Sequence, residues 1–326
     1  MQLILDTKGL TLAKKNGIFH VFNEKSERVI SPGKLTSIAI TANVRMEASA
    51  VLLAVKHEIP ILFFNRIGKV QAKLWNPYFS TIASLRRGQV NFAQLPEATA
   101  WILDLFELKT LGQIENLQWI KQHHTSVGWQ LSQTINTLKS NNRFEDFRGQ
   151  ILTHCQKNIM GVEGALANVY WTALGKSMPR KFRFNKRSRR PAEDVFNAVL
   201  NYLYGMLYSV VEGALFATGL DPQLGLLHAD AHTKPTLAFD LIEPFRPWID
   251  HLLITACFEQ KLLPSHCSKN QYGIFLNKEG KAFIIPLFND FLRSNRTFLG
   301  QESSNKNHIH FLSGKLAQRI RSVTNP

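Results

Sequence analysis

Four side chains stand out as candidates for chemistry. In "LHADAHTKPTLAFDLIEPFRP", Leu227 to Pro247, His228 is followed by Asp240 and Glu243 inside an otherwise apolar run. Asp and Glu are seldom buried without a partner, because an unpaired buried carboxylate is costly or neutralises itself. The segment therefore demands a counter-charge. On a helix, positions i and i+3 share a face, so Asp240 and Glu243 can point at a common spot. His228 opens a connection that can fold back on them. Glu163 joins them as the one acid in the small-residue stretch "MGVEGALANVYW". Two or three carboxylates with one imidazole make a hard, mostly oxygen site, suited to Mg2+ or Mn2+ rather than zinc or copper. Plainer partners are also available: Arg246 for Asp240 or Glu243, and a lysine for Glu163. Pro244 disfavours helical geometry at Glu243, so the chain should kink or tighten there.

A second constellation is "PRKFRFNKRSRRP", Pro179 to Pro191. Its basic residues include Lys181, Arg183, Lys186, Arg187, Arg189 and Arg190; it has no acid, and Phe182 and Phe184 are interleaved. Such a loop reads as a grip on a phosphate backbone, with aromatics available for stacking. The whole chain agrees, with 39 Lys+Arg against 24 Asp+Glu and a net charge of +15. An excess of that size points to a polyanion, nucleic acid first.

The elements that must position these residues fall into two regions. Apolar or alternating runs at 2–5, 10–14, 18–23 and 35–40 read as strands, broken at Lys15-Asn16-Gly17, Glu24 to Glu27 and Pro32-Gly33. Val44, Ala48, Val51, Leu52 and Val55 then share a helical face that stops before Pro60. "PILFFN" and "KVQAKLW" read as a hairpin across Arg66-Ile67-Gly68. From Tyr78 onward the periodicity is helical nearly to the end, with a tail of Ile309, Leu312, Leu316 and Ile320 at helical spacing. The expectation is α+β by segregation: a β-rich domain with one helix over 1–77, a linker helix over 78–94, and a larger all-α catalytic domain over 95–326.

Apolar residues make up 44% of the 326, enough for a packed core and against wholesale disorder. Cys155, Cys257 and Cys267 cannot build a disulfide framework and suit a reducing compartment, and without a C-x-x-C knuckle they read as buried thiols, not zinc ligands. Asp6 interrupts the N-terminus before any signal-like stretch develops, so a cytoplasmic protein is expected. Val195 to Leu220 is long enough to span a bilayer. Its single charge, Glu212, with Asn197 and Asn201, argues for a buried central helix and no membrane.

In order and content the C-terminal blocks resemble the CRISPR-associated integrase, the first Cas protein of spacer acquisition. "EGALANVYW" from Glu163 is similar to that family's first acidic motif. "RRPAEDVFNAVLNYLYGMLYSVVEGALFATGLDP" resembles its next block, and "GLLHADAHTKPTLAFDLIEPFRPWID" its most distinctive one, with His228, Lys234, Asp240, Glu243 and Arg246 in the expected places. Ala192 and Val195 stand where prolines are common, and Pro244 where a second acid is usual. The resemblance implies a metal-dependent DNA endonuclease and integrase of antiviral defence. It would join the 3′-hydroxyl of a captured duplex to a phosphodiester in the CRISPR repeat array. Glu163, His228 and Glu243 would be ligands for Mg2+ or Mn2+, and Asp240 an auxiliary acid near the attacking or leaving group. Arg246 and Lys234 would neutralise phosphate charge. It also implies a homodimer bridged by a small ferredoxin-like second Cas protein. A mobile-element integrase with the same catalytic domain and a non-catalytic basic scaffold are the alternatives.

Overall fold

A computed structural model of the chain describes residues 2–35, 37–57, 59–64, 70–74, 83–124, 128–228 and 234–324. The chain divides into two compact units, Met1–Thr81 and Ile82–Pro326. The expected turn at Arg66, Ile67 and Gly68 and the expected domain end at Pro77 lie outside the described residues.

The first unit holds two four-stranded sheets. One orders its strands β1 (Gln2–Leu5), β5 (Ser37–Ile40), β7 (Ile61–Phe64) and β8 (Val70–Leu74). The first three run parallel, and β8 returns antiparallel to β7. The other sheet is β4 (Ser26–Ile30), β3 (Ile18–Asn23), β2 (Thr11–Lys15) and β6 (Arg45–Met46). Asn16 and Gly17 both take positive φ, 51° and 76°. That is the backbone a two-residue hairpin turn requires and Asn-Gly supplies.

Two local expectations are corrected here. The stretch from Glu24 to Glu27, read as a break, already contains the start of β4, because Asn23 Oδ1 accepts from the Lys25 and Ser26 N–H groups at 2.9 Å and reverses the chain at once. The helix α1 (Ala48–Lys56) buries Ala50, Leu53 and Ala54 and leaves Leu52 66% exposed. "ASAVLLAVK" is apolar around most of its circumference, so periodicity alone does not select the buried face.

The second unit is mainly helical. Its elements are α2 (Ala83–Phe92), α3 (Pro96–His123), α4 (Gly128–Ser140), α5 (Leu152–Ser177), α6 (Val195–Ala217), α7 (Thr236–Leu241), α8 (Arg246–Phe258), α9 (Lys278–Arg293) and α10 (Asn305–Thr324). Pro96 begins α3 with Glu97 in its first turn, and Lys121 and His123 lie in its last, as the helix dipole favours. Asp194 caps α6 by accepting from the Asn197 N–H at 2.8 Å. α6 is long and apolar enough to cross a membrane. It packs against α7, α8 and α10 and buries Leu200, Leu203, Leu207 and Val211. Ile309, Leu312, Leu316 and Ile320 of α10 are all buried. α2, expected as a linker, packs on α10 within this unit.

The unit also carries two short hairpins, β9 (Cys267–Asn270) with β10 (Gly273–Leu276) and β11 (Asn295–Phe298) with β12 (Gln301–Ser304). They correct the all-α expectation locally. A positive-φ glycine stands in the second turn, Gly300, and just after the first, Gly273 at the start of β10, in short stretches that no helical period marks.

Candidate active site

Between α7 and α8 the chain tightens into a single 3-10 turn, Glu243–Phe245. Pro244 falls in that first turn, where its missing N–H has no partner to lose. The turn seats Glu243 against α3. Lys109 of α3 donates to Glu163 Oε1 of α5 at 2.5 Å, and its Nζ lies 2.6 Å from Glu243 Oε2. One ammonium thus holds two carboxylates that are 80 residues apart in the chain. The second contact is a buried ion pair in which the Lys109 ammonium is the close partner of Glu243 Oε2. Arg246 Nε donates to Glu243 Oε1 at 2.8 Å and its Nη2 to the Tyr208 hydroxyl at 2.5 Å.

Charge balance dominates this cluster. Burial raises the cost of the Glu243 anion, yet Arg246 and Lys109 outweigh it and pull its pKa down to about 2. Burial likewise works against the Lys109 ammonium, and Glu243 and Glu163 overcome it, holding the lysine above its ordinary range. The side chain of Glu163 is 28% exposed, so the cluster opens to solvent at that carboxylate.

Asp240 and Glu243 do not share one spot. α7 ends between them, and the Asp240 carboxylate turns to the segment before it. The N–H groups of Leu226, Leu227 and His228 donate to Asp240 at 2.7, 3.2 and 3.2 Å, and His228 Nδ1 meets Oδ1 at 2.6 Å. With four donors on a buried carboxylate, Asp240 braces His228 instead of facing a reacting group as an auxiliary acid. Burial opposes the His228 imidazolium, but the hydrogen bond and charge of Asp240 prevail and raise its pKa. Residues 229–233, which complete this connection, lie outside the described residues.

The sequence-derived candidates thus separate into groups. Glu163 and Glu243 converge, joined by the cations Lys109 and Arg246; His228 and Asp240 form an adjoining pair. The plainer partners considered for Glu163 and Glu243, a lysine and Arg246, are both in place. Lys109 escaped the sequence reading, although a lone lysine among Leu105, Phe106, Thr110 and Gln113 on a buried helical face was a legible signal. Among the described residues no three His, Cys, Asp or Glu side chains are gathered closely enough to hold an ion as they stand. The donor chemistry nevertheless fits one: two carboxylates meet at one cationic position, and one of them, Glu163, opens to solvent.

The basic loop is only partly a surface. Phe182 and Phe184, expected to be free for stacking, are 4% and 6% exposed, and Phe184 stacks on Phe196 of α6. Arg187 turns inward. It donates to Asn197 Oδ1 at 2.8 Å and Asn201 Oδ1 at 2.6 Å, and its guanidinium faces the rings of Trp171 and Tyr204. Arg246 is also withdrawn, 8% exposed, so it meets Glu243 and Tyr208 instead of a phosphate. Lys181, Arg183, Lys186, Arg189, Arg190 and Lys234 remain exposed.

The match to a known family of CRISPR-associated proteins extends over the strand-rich unit and most of the mainly helical one that follows it. The chain belongs to the Cas1 family: the family model "CRISPR associated protein Cas1" matches residues 3–290. The chain is 24% identical to CRISPR-associated endonuclease Cas1 1 of Archaeoglobus fulgidus over 314 residues, covering 92% of this chain and 91% of that one. It is 28% identical to the protein of the same name from Thermus thermophilus, covering 90% and 87%. Its fold is similar to that of a casposase bound to integration product, with a TM-score of 0.82 at 23% identity, covering 100% of this chain and 92% of that one.

Proposed function

We propose that this chain is a divalent-metal-dependent DNA endonuclease and integrase of spacer acquisition. It joins the 3′-hydroxyl of a short captured duplex to a phosphodiester in the CRISPR repeat array, in the cytoplasm. The observation that carries this reading is the convergence of Glu163 and Glu243 on one cationic position in a chain of the Cas1 family. The endonuclease names of relatives that align over nine-tenths of the chain support it.

Glu163, Glu243 and His228 hold Mg2+ or Mn2+. A divalent cation bound there supplies Lewis-acid polarisation of the scissile phosphate and charge stabilisation for the attacking or leaving oxygen. Asp240 engages His228 Nδ1 and leaves Nε2 to act as ligand, the carboxylate–histidine pairing that fixes a ligating ring. Arg246 keeps Glu243 ionised and aimed. Lys181, Arg183, Lys186, Arg189, Arg190 and Lys234 meet the phosphate backbone of double-stranded DNA. The working assembly is a homodimer bridged by a small ferredoxin-like second Cas protein.

The test is strand transfer of a labelled duplex into a repeat-bearing plasmid, with Mn2+, with and without the small partner. Wild type yields joined product. Glu163→Gln keeps its circular dichroism spectrum and its DNA affinity but falls to background. An active Glu163→Gln variant would remove that residue from the site. A mobile-element integrase sharing this catalytic unit would instead require terminal inverted repeats on the donor.

A further inference from the structure

Lys109 has no part in the chemistry above, yet it occupies the centre of the cluster. Its side chain is buried on α3, with its ammonium 5.6 Å from the Phe106 ring centroid. A lysine is almost never buried without a partner. Here it has two, and they are the two carboxylates assigned to the metal. Without a cation between them, two anions would face each other where water screens them little. A divalent ion ligated by the same oxygens requires contacts of about 2.0–2.2 Å, and an ammonium 2.5–2.6 Å from those oxygens already fills that space. The lysine stem is flexible enough to withdraw its head group while its backbone stays fixed on the helix. Glu243 Oε2 exchanges one cation for another, while Arg246 Nε keeps its hold on Oε1 at 2.8 Å.

We infer that Lys109 is the built-in counter-cation of the metal-free site: its ammonium keeps Glu163 and Glu243 convergent, and a divalent ion must displace it to bind. This rests on the metal-site reading and adds a competitor to it. Lys109 is a positioning residue. It preorganises the two ligands and sets the concentration at which metal wins.

The experiment is calorimetric titration of Mn2+ alone into wild type and Lys109→Met, a variant of similar length without the charge. Wild type binds Mn2+, and Lys109→Met, freed of the competing ammonium, binds it at least about tenfold more tightly, equivalent to about 1.4 kcal/mol. Equal or weaker binding by the variant overturns the inference and leaves the metal site standing. A wild type that takes up no Mn2+ overturns both. Should Lys109→Met fail to fold, amine labelling of wild type decides. With acetic anhydride and mass spectrometric readout, Mn2+ raises Lys109 acetylation relative to that of exposed Lys181. Unchanged or lower labelling overturns the displacement.

Discussion

Asp250 of α8 shows what a single buried charge costs this protein. It accepts from the Tyr204 hydroxyl at 2.6 Å and the Tyr170 hydroxyl at 3.1 Å, and among the described residues no cation pairs with it directly. Burial therefore prevails over its donors and pushes its pKa up to about 6. A carboxyl whose folded pKa is raised contributes stability that is full below its unfolded pKa, near 3.8, and is lost as pH rises through about 6. Asp250→Asn sheds that charge while keeping polar atoms for both tyrosines. Relative to wild type, it should gain about 1–3 kcal/mol between about pH 4 and pH 7, measured by urea unfolding. A stability difference that ignores pH would mean Asp250 ionises as it does in the unfolded chain. The residue scale also divides what could be read in advance. Glu163, Asp240 and Glu243 were visible because a carboxylate in an apolar run needs a partner. Lys109 was legible as a lone lysine on an apolar helical face, but its partners were not. Those of Asp250 were not either, because both sets come from other helices, α5 for Lys109 and α5 and α6 for Asp250.

At the scale of elements, α5 and the basic loop are joined by one close approach. A Cβ at Gly175 would fall on the Phe184 carbonyl oxygen and press the Phe184 ring, which is itself stacked on Phe196. The absence of a side chain on α5 is what lets the loop lie down. Gly175→Ala should cost about 1–3 kcal/mol, the usual penalty for overpacking, and lower the melting temperature. DNA affinity should fall with it, because the loop's exposed cations move with their seat. An unchanged melting temperature would show that the loop yields without cost. Elements themselves were legible where the pattern was long. α6 follows from its apolar length and the tail α10 from its apolar spacing. Short ones were not: β4 hides in a charged stretch, and the two hairpins of the second unit carry too few residues for a period to register. The i, i+3 pairing of Asp240 with Glu243 failed for another reason. It assumed that a shared face means a shared partner, whereas Asp240 is taken by the N–H groups of residues 226–228 and the His228 ring, and Glu243 by Lys109 and Arg246.

For the whole molecule, charge is the property that composition fixes and folding sorts. A net charge of +15 favours any polyanion at long range, but only exposed cations release counterions when DNA arrives. The basic loop contains both kinds. Arg187 is spent on Asn197 and Asn201 inside the unit, whereas Lys186, Arg189 and Arg190 are open to solvent, Lys186 with Glu193 3.3 Å away as an exposed partner. The double substitution Arg189→Ala with Arg190→Ala should therefore leave the melting temperature nearly unchanged. It should weaken binding to unrelated duplexes by a similar factor and flatten the salt dependence. In fluorescence anisotropy between about 50 and 200 mM salt, the slope of log K against log salt should lose about 0.9 for each phosphate contact removed. Arg187→Ala should do the reverse, destabilising the fold through the polar groups it strands on α6. Mn2+ uptake should be unaffected by the double substitution, because neither arginine touches Glu163, His228 or Glu243. A double variant that keeps the wild-type slope would put the path of DNA elsewhere on the molecule and leave the loop with only its role of bracing α6.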